Sequence, residues 1–320
     1  MRYALVRIIG LVALIASALP VSAQNFPNKV VEIIVSFPPG GSVDLGSRVM
    51  AGALEQKWKV PVRVVNKAGG NNLPAIDELM RSPPDGYHVM MDLLSTSSLV
   101  TIMHPNFQHK VADRTFITLT NQTPMILVVN AALPVNTMKE LVELVQKDPS
   151  QITWTSLGGT GVVDLAMRRF FNAAKVDVNK TRPVSFRGSG ESVVQVAGGA
   201  VMVGAGTFAA FAPMIQAGKI RALAVFAPQR SPLNPDLPTA AELGYPDTDA
   251  VQWNGFAGPP GMSPAIVETW HKAVQEVLVD PDVIAKLARI GLVPLKGDGK
   301  AMRKIVEEET VLLKDLFPQR

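Results

Sequence analysis

Hydrophobic positions along this chain switch between two spacings. Val30-Val31-Glu32-Ile33-Ile34-Val35 is short and β-branched, the signature of a buried strand. Residues 37–42 break that run. Leu45, Val49, Ala53 and Leu54 then recur at helical spacing, with Ser42 expected as the N-cap and Asp44 in the first turn. A second strand is expected over 62–65, a loop over 66–72, a helix over 74–80, a turn over 83–86 and a third strand over 88–94. This β-α-β-α-β order predicts a parallel sheet covered by helices on both faces. The pattern restarts near residue 125. Strands are expected over 125–129, 152–155, 182–186, 201–203 and 220–226, alternating with helices over 138–146, 163–173, 192–197 and 213–216. A stretch with Pro228, Pro232, Pro235 and Pro238 precedes a helix start at Thr239, and further helices are expected over 265–279, 282–290 and 300–316. The reading is two α/β lobes joined by crossovers near 123–125 and 225–227. Lobe 1 would hold 24–124 and 227–320, and lobe 2 would hold 125–226.

The first 23 residues follow a different logic. Arg2 and Arg7 precede an apolar run over 8–19, and Val21-Ser22-Ala23 supplies small residues where a signal peptidase cuts. The run is too short for a span, which needs roughly 20 apolar residues. An export signal cleaved near Ala23 is therefore expected, with no stable membrane insertion of the mature chain.

Composition removes several classes of function. The chain contains no Cys, so disulfides, thiolate metal sites, thiol nucleophiles and a lipidated N-terminal Cys are all excluded. Its 4 His are dispersed at 88, 104, 109 and 271, which argues against a metal site. The net charge of +4 includes both arginines of the export signal. Aromatics are 6% and no Lys/Arg run occurs, so no nucleic-acid partner is expected. Catalytic motifs also fail. Gly158-Gly159-Thr160-Gly161 lacks the dinucleotide spacing because the sixth position is Val163, and Gly188-Ser189-Gly190-Glu191-Ser192 is not a nucleophile elbow. No enzyme activity and no cofactor are expected.

The candidate chemistry lies in two glycine-rich strand-to-helix turns, 38–42 and 158–161, one per lobe. Such turns aim backbone N–H groups at one spot, and the helix dipole adds roughly half a positive charge there. Open α/β sheets bind ligands at these strand ends. Trp253, in Gln252-Trp253-Asn254-Gly255-Phe256, is open between core packing and a ligand wall.

Ordered motifs along the chain resemble the Bug family, the periplasmic solute receptors of tripartite tricarboxylate transporters. They are Phe26-Pro27-x-Lys29, Phe37-Pro38-Pro39-Gly40-Gly41-Ser42-x-Asp44, Pro83-Pro84-Asp85-Gly86-Tyr87, Ala217-Gly218-Lys219-Ile220-Arg221-Ala222-Leu223-Ala224-Val225, Leu237-Pro238-Thr239-x-x-Glu242-x-Gly244 and Trp253-x-Gly255 followed by Pro260-Gly261-x-Ser263-Pro264. The resemblance implies a two-lobed type II periplasmic binding protein, a Venus flytrap with a mostly parallel sheet in each lobe. It implies a small organic carboxylate, aromatic or di- or tricarboxylic, held largely by main-chain N–H groups. The implied contacts are Phe37, Gly40, Gly41 and Ser42 from one turn, Ser156, Gly159, Thr160 and Gly161 from the other, and Ser95 and Thr96 after the third strand. It also implies a monomer that delivers its ligand to a two-subunit membrane permease. A sensor that presents the acid to a membrane kinase would use the same fold. Three departures matter. Asp164 stands where the family commonly has His, Met202 and Gly206 stand where it often has acids, and Phe186-Arg187-Gly188 replaces a Tyr-Lys-Gly. Without an acid at Gly206 an amino-acid ligand loses its ammonium partner, and Phe37, Phe186 and Phe208 make the pocket more apolar. Arg187 is open between pairing with a second carboxylate and a solvated surface position.

Overall fold

The computed structural model describes residues 26–316 apart from Thr160 and Arg187, and the export signal expected over 1–23 lies outside them. The first apolar run forms β1 (Val31–Val35), which pairs in parallel with β2 (Val62–Asn66) on one side and β3 (His88–Asp92) on the other. Helices α1 (Ser42–Trp58) and α2 (Leu73–Arg81) make the two crossovers. Ile33, Val35, Val89 and Met91 enter one core with Met50, Leu54 and Trp270. Ile34 and Met90 turn to the other face and meet Ile76 and Leu79. Both faces are therefore buried, which is why β1 reads as a continuous apolar run rather than an alternating one. Each such side chain contributes about 1.5–3 kcal/mol on burial.

Helix α3 (Ser98–Met103) leads into β4 (Thr115–Asn130), a 16-residue strand that serves both lobes. Its first part runs antiparallel to β9 (Val251–Gly258) as far as Pro124↔Val251. From Met125 it pairs antiparallel with β7 (Val203–Thr207) and β8 (Ile220–Phe226) instead. Beyond β7 lie β5 (Thr153–Ser156) and β6 (Arg182–Ser185), parallel to one another, with β5 also parallel to β7. Helices α4 (Met138–Lys147), α5 (Val162–Ala173), α6 (Ser189–Ala197) and α7 (Phe208–Gln216) cover this second half. The first three strands of each lobe are thus parallel, and the strands that cross between lobes add the antiparallel pairs that make each sheet mixed.

The chain between β8 and β9 stays with the second half, where Ala240 and Ala250 join the core of Phe170 and Phe226. The helix expected from Thr239 is only a turn. Thr239 and Glu242 cap one another reciprocally, at 2.7 and 3.0 Å, but Gly244 enters the left-handed region at φ +91° and ends the segment. At the pivot three segments are stitched together, with Met125 N donating to Ala250 O and Ala250 N donating to Phe226 O, both at 2.9 Å. The chain then returns through α8 (Pro264–Val277), α9 (Pro281–Arg289), β10 (Val293–Pro294) and α10 (Gly299–Leu316). Helix α10 braces the pivot. Its half-buried Glu309 accepts from Ser98 Oγ and Trp253 Nε1, both at 2.8 Å. Trp253 is therefore a core residue with its one donor satisfied. Burial pushes the Glu309 carboxyl up to about 7. Among the described residues no helix is long and apolar enough to cross a membrane.

Candidate functional site

The first turn follows β1. Pro38 and Pro39 have no N–H to donate, Gly40 takes φ +88°, and Gly41 caps α1 with an ordinary φ of −77° and no side-chain cap. The cap is therefore Gly41 rather than Ser42, because Asp44 closes the turn from inside the helix. Its Oδ2 accepts from Gly40 N at 2.9 Å and Arg48 Nε at 3.0 Å. Its Oδ1 accepts from Asn66 Nδ2 at 2.9 Å and pairs with Arg48 Nη2 at 2.9 Å. Asn66, the last residue of β2, also donates to Phe37 O at 3.0 Å, which ties the turn to the sheet. Burial alone would raise the Asp44 pKa, but the bonds from Arg48, Gly40 and Asn66 outweigh it and hold the carboxyl below its ordinary value.

The second turn repeats this design 120 positions later in the numbering. Ser36 precedes Val43-Asp44-Leu45 by the same interval that separates Ser156 from Val163-Asp164-Leu165. Gly158 and Gly159 take φ +77° and +84°, and Gly161 caps α5. Asp164 Oδ1 accepts from Ser156 Oγ at 2.5 Å and Gly159 N at 3.1 Å. Its Oδ2 accepts from Leu157 N at 3.0 Å and Gly161 N at 3.3 Å. Burial pushes this carboxyl up, and these four bonds offset only part of the effect.

These contacts correct one expectation. The N–H groups of Gly40, Gly159 and Gly161 are not free for a ligand, because an aspartate at the third helical position of each lobe already holds them. The reason is geometric: a short acidic side chain at that position folds back onto the turn before it, as in a capping box. What each helix still offers is its first-turn N–H groups, those of Ser42 and Val43 in α1 and Val162 and Val163 in α5, which have no carbonyl one turn behind them.

Both helix starts line one cleft of about 710 Å³ between the lobes. Phe37, Gly40, Gly41, Ser42 and Leu45 form one wall, and Leu157, Val162, Val163, Val193 and Met214 the other. Met125, Gly206, Thr207 and Gln252 line it from the pivot strands, and Arg289 completes it. The walls are mostly apolar, and Arg289 is the sole charged side chain among the described lining residues. Gly206 is glycine for packing reasons, since a Cβ there would lie 2.6 Å from the Phe211 ring.

The other expected residues are placed as follows. Ser156, Gly159 and Gly161 lie behind the wall, in the Asp164 network. Phe186 is half-buried and packs against the core of Ile126 and Phe211. Thr160 and Arg187 lie outside the described residues. In the loop after β3, Thr96 and Ser97 serve a buried ion pair, with Ser97 Oγ donating to Asp92 at 2.8 Å. Arg114 and Asp92 are fully buried with Nη1 to Oδ1 at 2.8 Å, Thr96 Oγ1 donates to Asp92 at 2.5 Å, and Arg114 Nη2 donates to Thr96 O. Ser95 Oγ and Ser36 Oγ are buried without a hydrogen-bond partner among the described residues. Arg289, Gln252, Thr207 and the two aspartate locks were missed as site residues. The repeated Val-Asp-Leu after each glycine turn is the sequence signal that points to the locks.

Comparison with known proteins bears on the fold and the family. The family described as "Tripartite tricarboxylate transporter family receptor" matches residues 47–319. Protein BugT of Bordetella pertussis is 29% identical over 310 residues, covering 95% of this chain and 94% of the relative. The solved structure of the periplasmic binding protein BugD superposes with a TM-score of 0.81 at 24% identity, over 92% of this chain and 100% of BugD. That of R. palustris Rpa4515 with adipate gives 0.83 at 25% identity, over 91% and 97%.

Proposed function

This chain belongs to the receptor family of tripartite tricarboxylate transporters, the Bug family, and from that premise we propose that it captures a small organic carboxylate between its lobes. The carrying observation is that the N-termini of α1 and α5, one from each lobe, face a single apolar-walled cleft. Each supplies unpaired N–H groups and the positive end of a helix dipole. The aspartate locks fix those helix starts before any ligand arrives, so little ordering cost is left for binding. The expected bounds shift in one segment: we place 227–250 in lobe 2 rather than lobe 1, because Ala240 and Ala250 pack in the core of Phe170 and Phe226, so the lobes become 26–124 with 251–316 and 125–250. Phe37, Gly41 and Ser42 contact the acid from lobe 1, and the start of α5 with Gly206 contacts it from lobe 2. The hydroxyls of Ser36, just after β1, and Ser95, after β3, have no partner among the described residues and are reached on closure. The adipate-bound relative supports a dicarboxylate among the candidate acids. The receptor is exported to the periplasm, acts as a monomer and hands its ligand to a two-subunit permease. The only demand on the site is reversible binding, so no catalytic role is assigned to any of its residues.

A thermal-shift screen of aromatic, di- and tricarboxylic acids tests this reading. A ligand at 100 times its Kd stabilises the fold by about 2.7 kcal/mol, and the amide of the same acid should not. Equal stabilisation by acid and amide would remove the carboxylate from the proposal.

A further inference from the structure

Arg289 closes α9 at the rim of the cleft. The buried side chains of this helix, Val283 and Leu287, anchor it in the first lobe's core. Its one acid, Asp282, is taken by Lys286 at 2.6 Å. Arg289 is exposed and forms no ion pair with a described residue. The three residues that follow fix where it stands. Leu292 is buried against α1, where a Cβ on Gly46 would lie 2.7 Å from it. Gly291 takes φ +75°, and a Cβ there would lie 2.7 Å from Ala209 of α7 in the second lobe. The backbone beside Arg289 is therefore pinned between the start of α1 and the opposite lobe, at the seam where the two walls meet.

Charge makes this position informative. Two helix N-termini already give the cleft partial positive charge, and Arg289 adds a full one. No acidic side chain is among the described lining residues. Asp44 and Asp164 sit behind their turns, committed to internal bonds. A single carboxylate would leave this cleft with an excess of positive charge in mostly apolar surroundings. A ligand with two carboxylates separated by an apolar spacer would satisfy both the helix starts and the guanidinium.

Resting on the carboxylate-receptor reading above, we propose that Arg289 is the specificity-determining residue of the cleft. It pairs with a second carboxylate, so that the receptor selects dicarboxylates over monocarboxylates of the same length. The guanidinium fork can hold that group through two parallel N–H bonds, a geometry that a lysine does not offer.

Calorimetry on the mature receptor tests this with three matched pairs: succinate and butyrate, adipate and hexanoate, terephthalate and 4-methylbenzoate. In the wild type the diacid of the fitting pair binds about tenfold more tightly or better than its monoacid, the difference that one charge-assisted contact supplies. Arg289→Gln removes that advantage by weakening the diacid about tenfold, while the monoacid changes far less. Arg289→Lys recovers part of it, and melting temperatures stay unchanged because the side chain is exposed. A diacid-to-monoacid ratio that survives Arg289→Gln overturns the inference and leaves the receptor reading standing. Failure of the wild type to bind any of the six acids counts against both.

Discussion

The two glycine turns have the same backbone plan and opposite electrostatics. In each, a buried serine ends or directly follows a strand, glycines carry the chain over, a glycine caps the helix, and an aspartate at its third position reaches back to the turn, holding one peptide N–H in the first lobe and three in the second. In the first lobe that aspartate is matched by Arg48, whose side chain is 49% exposed, and by Asn66. Asp44 is itself 1% exposed, but its charge is neutralised within the turn and water reaches the pair from the Arg48 side. In the second lobe Asp164 is equally buried, and its described partners are all neutral: a serine hydroxyl and three peptide N–H groups. The same lock thus runs as an ion pair on one side and as a buried acid with a raised pKa on the other. A shared backbone motif does not fix the charge state of the site it builds; the neighbours at its rim do.

The largest expected contrast is in stability. Asp164→Ala strands three peptide N–H groups and a hydroxyl, several of them buried, each costing about 1–3 kcal/mol if left unpaired. It should destabilise by several kcal/mol in urea unfolding. Asp44→Ala leaves its partners within reach of water and should cost only about 1 kcal/mol, the usual value of a lost cap. Equal losses would mean that the exposure of the partners does not separate the two turns.

Acidity separates them next. A carboxyl whose folded pKa is raised stabilises fully below its unfolded pKa, and that stability is lost as pH climbs through the folded value. Asp164 behaves this way, as do Asp249 and Glu309, whose carboxyls burial also raises. Asp44 has the opposite sign: its contribution is present above its unfolded pKa and is lost as pH falls below it. Stability should therefore decline between pH 5 and 8. Glu309, raised to about 7 with Arg169 opposing and Asp92 adding to the rise, accounts for up to about 3 kcal/mol. Glu309→Gln should flatten the decline. Asp164→Asn should flatten it further, whereas Asp44→Asn should alter only the acid limb. A profile that rises through this window contradicts these assignments.

The smallest contrast is within the first turn. Gly40 at φ +88° should lose about 1 kcal/mol as alanine, from backbone strain alone, since nothing lies within 4 Å of the added Cβ. Gly41→Ala, at φ −77°, should cost a few tenths in stability. Gly41 lines the cleft, so the loss should appear in ligand affinity instead.

The sequence makes the element order legible because a period of two and a period of 3.6 are hard to confuse over whole lobes. It makes the two turns legible because so many adjacent glycines after a strand have few other uses. The locks are less so: an aspartate in a first turn can face solvent or fold back, and only the packing around Ser156 decides for Asp164. In the loop at Ser95 and Thr96, Thr96 is taken up by the Asp92–Arg114 pair, and an arginine buried to 1% exposure is not expected from its type. Arg289 was invisible for the opposite reason. It looks like any exposed residue at the end of an amphipathic helix until Gly291 and Ala209 show how closely the lobes approach beside it.

Solution scattering tests most directly whether both turns act on one ligand. A carboxylate held by α1 and α5 together favours approach of the lobes about the β4 and β8–β9 pivot, since only a ligand touching both lobes stabilises closure. With a saturating acid chosen by thermal shift, the radius of gyration of the mature receptor should fall. An unchanged profile in a sample that calorimetry shows to be saturated would contradict a cleft that closes on its ligand.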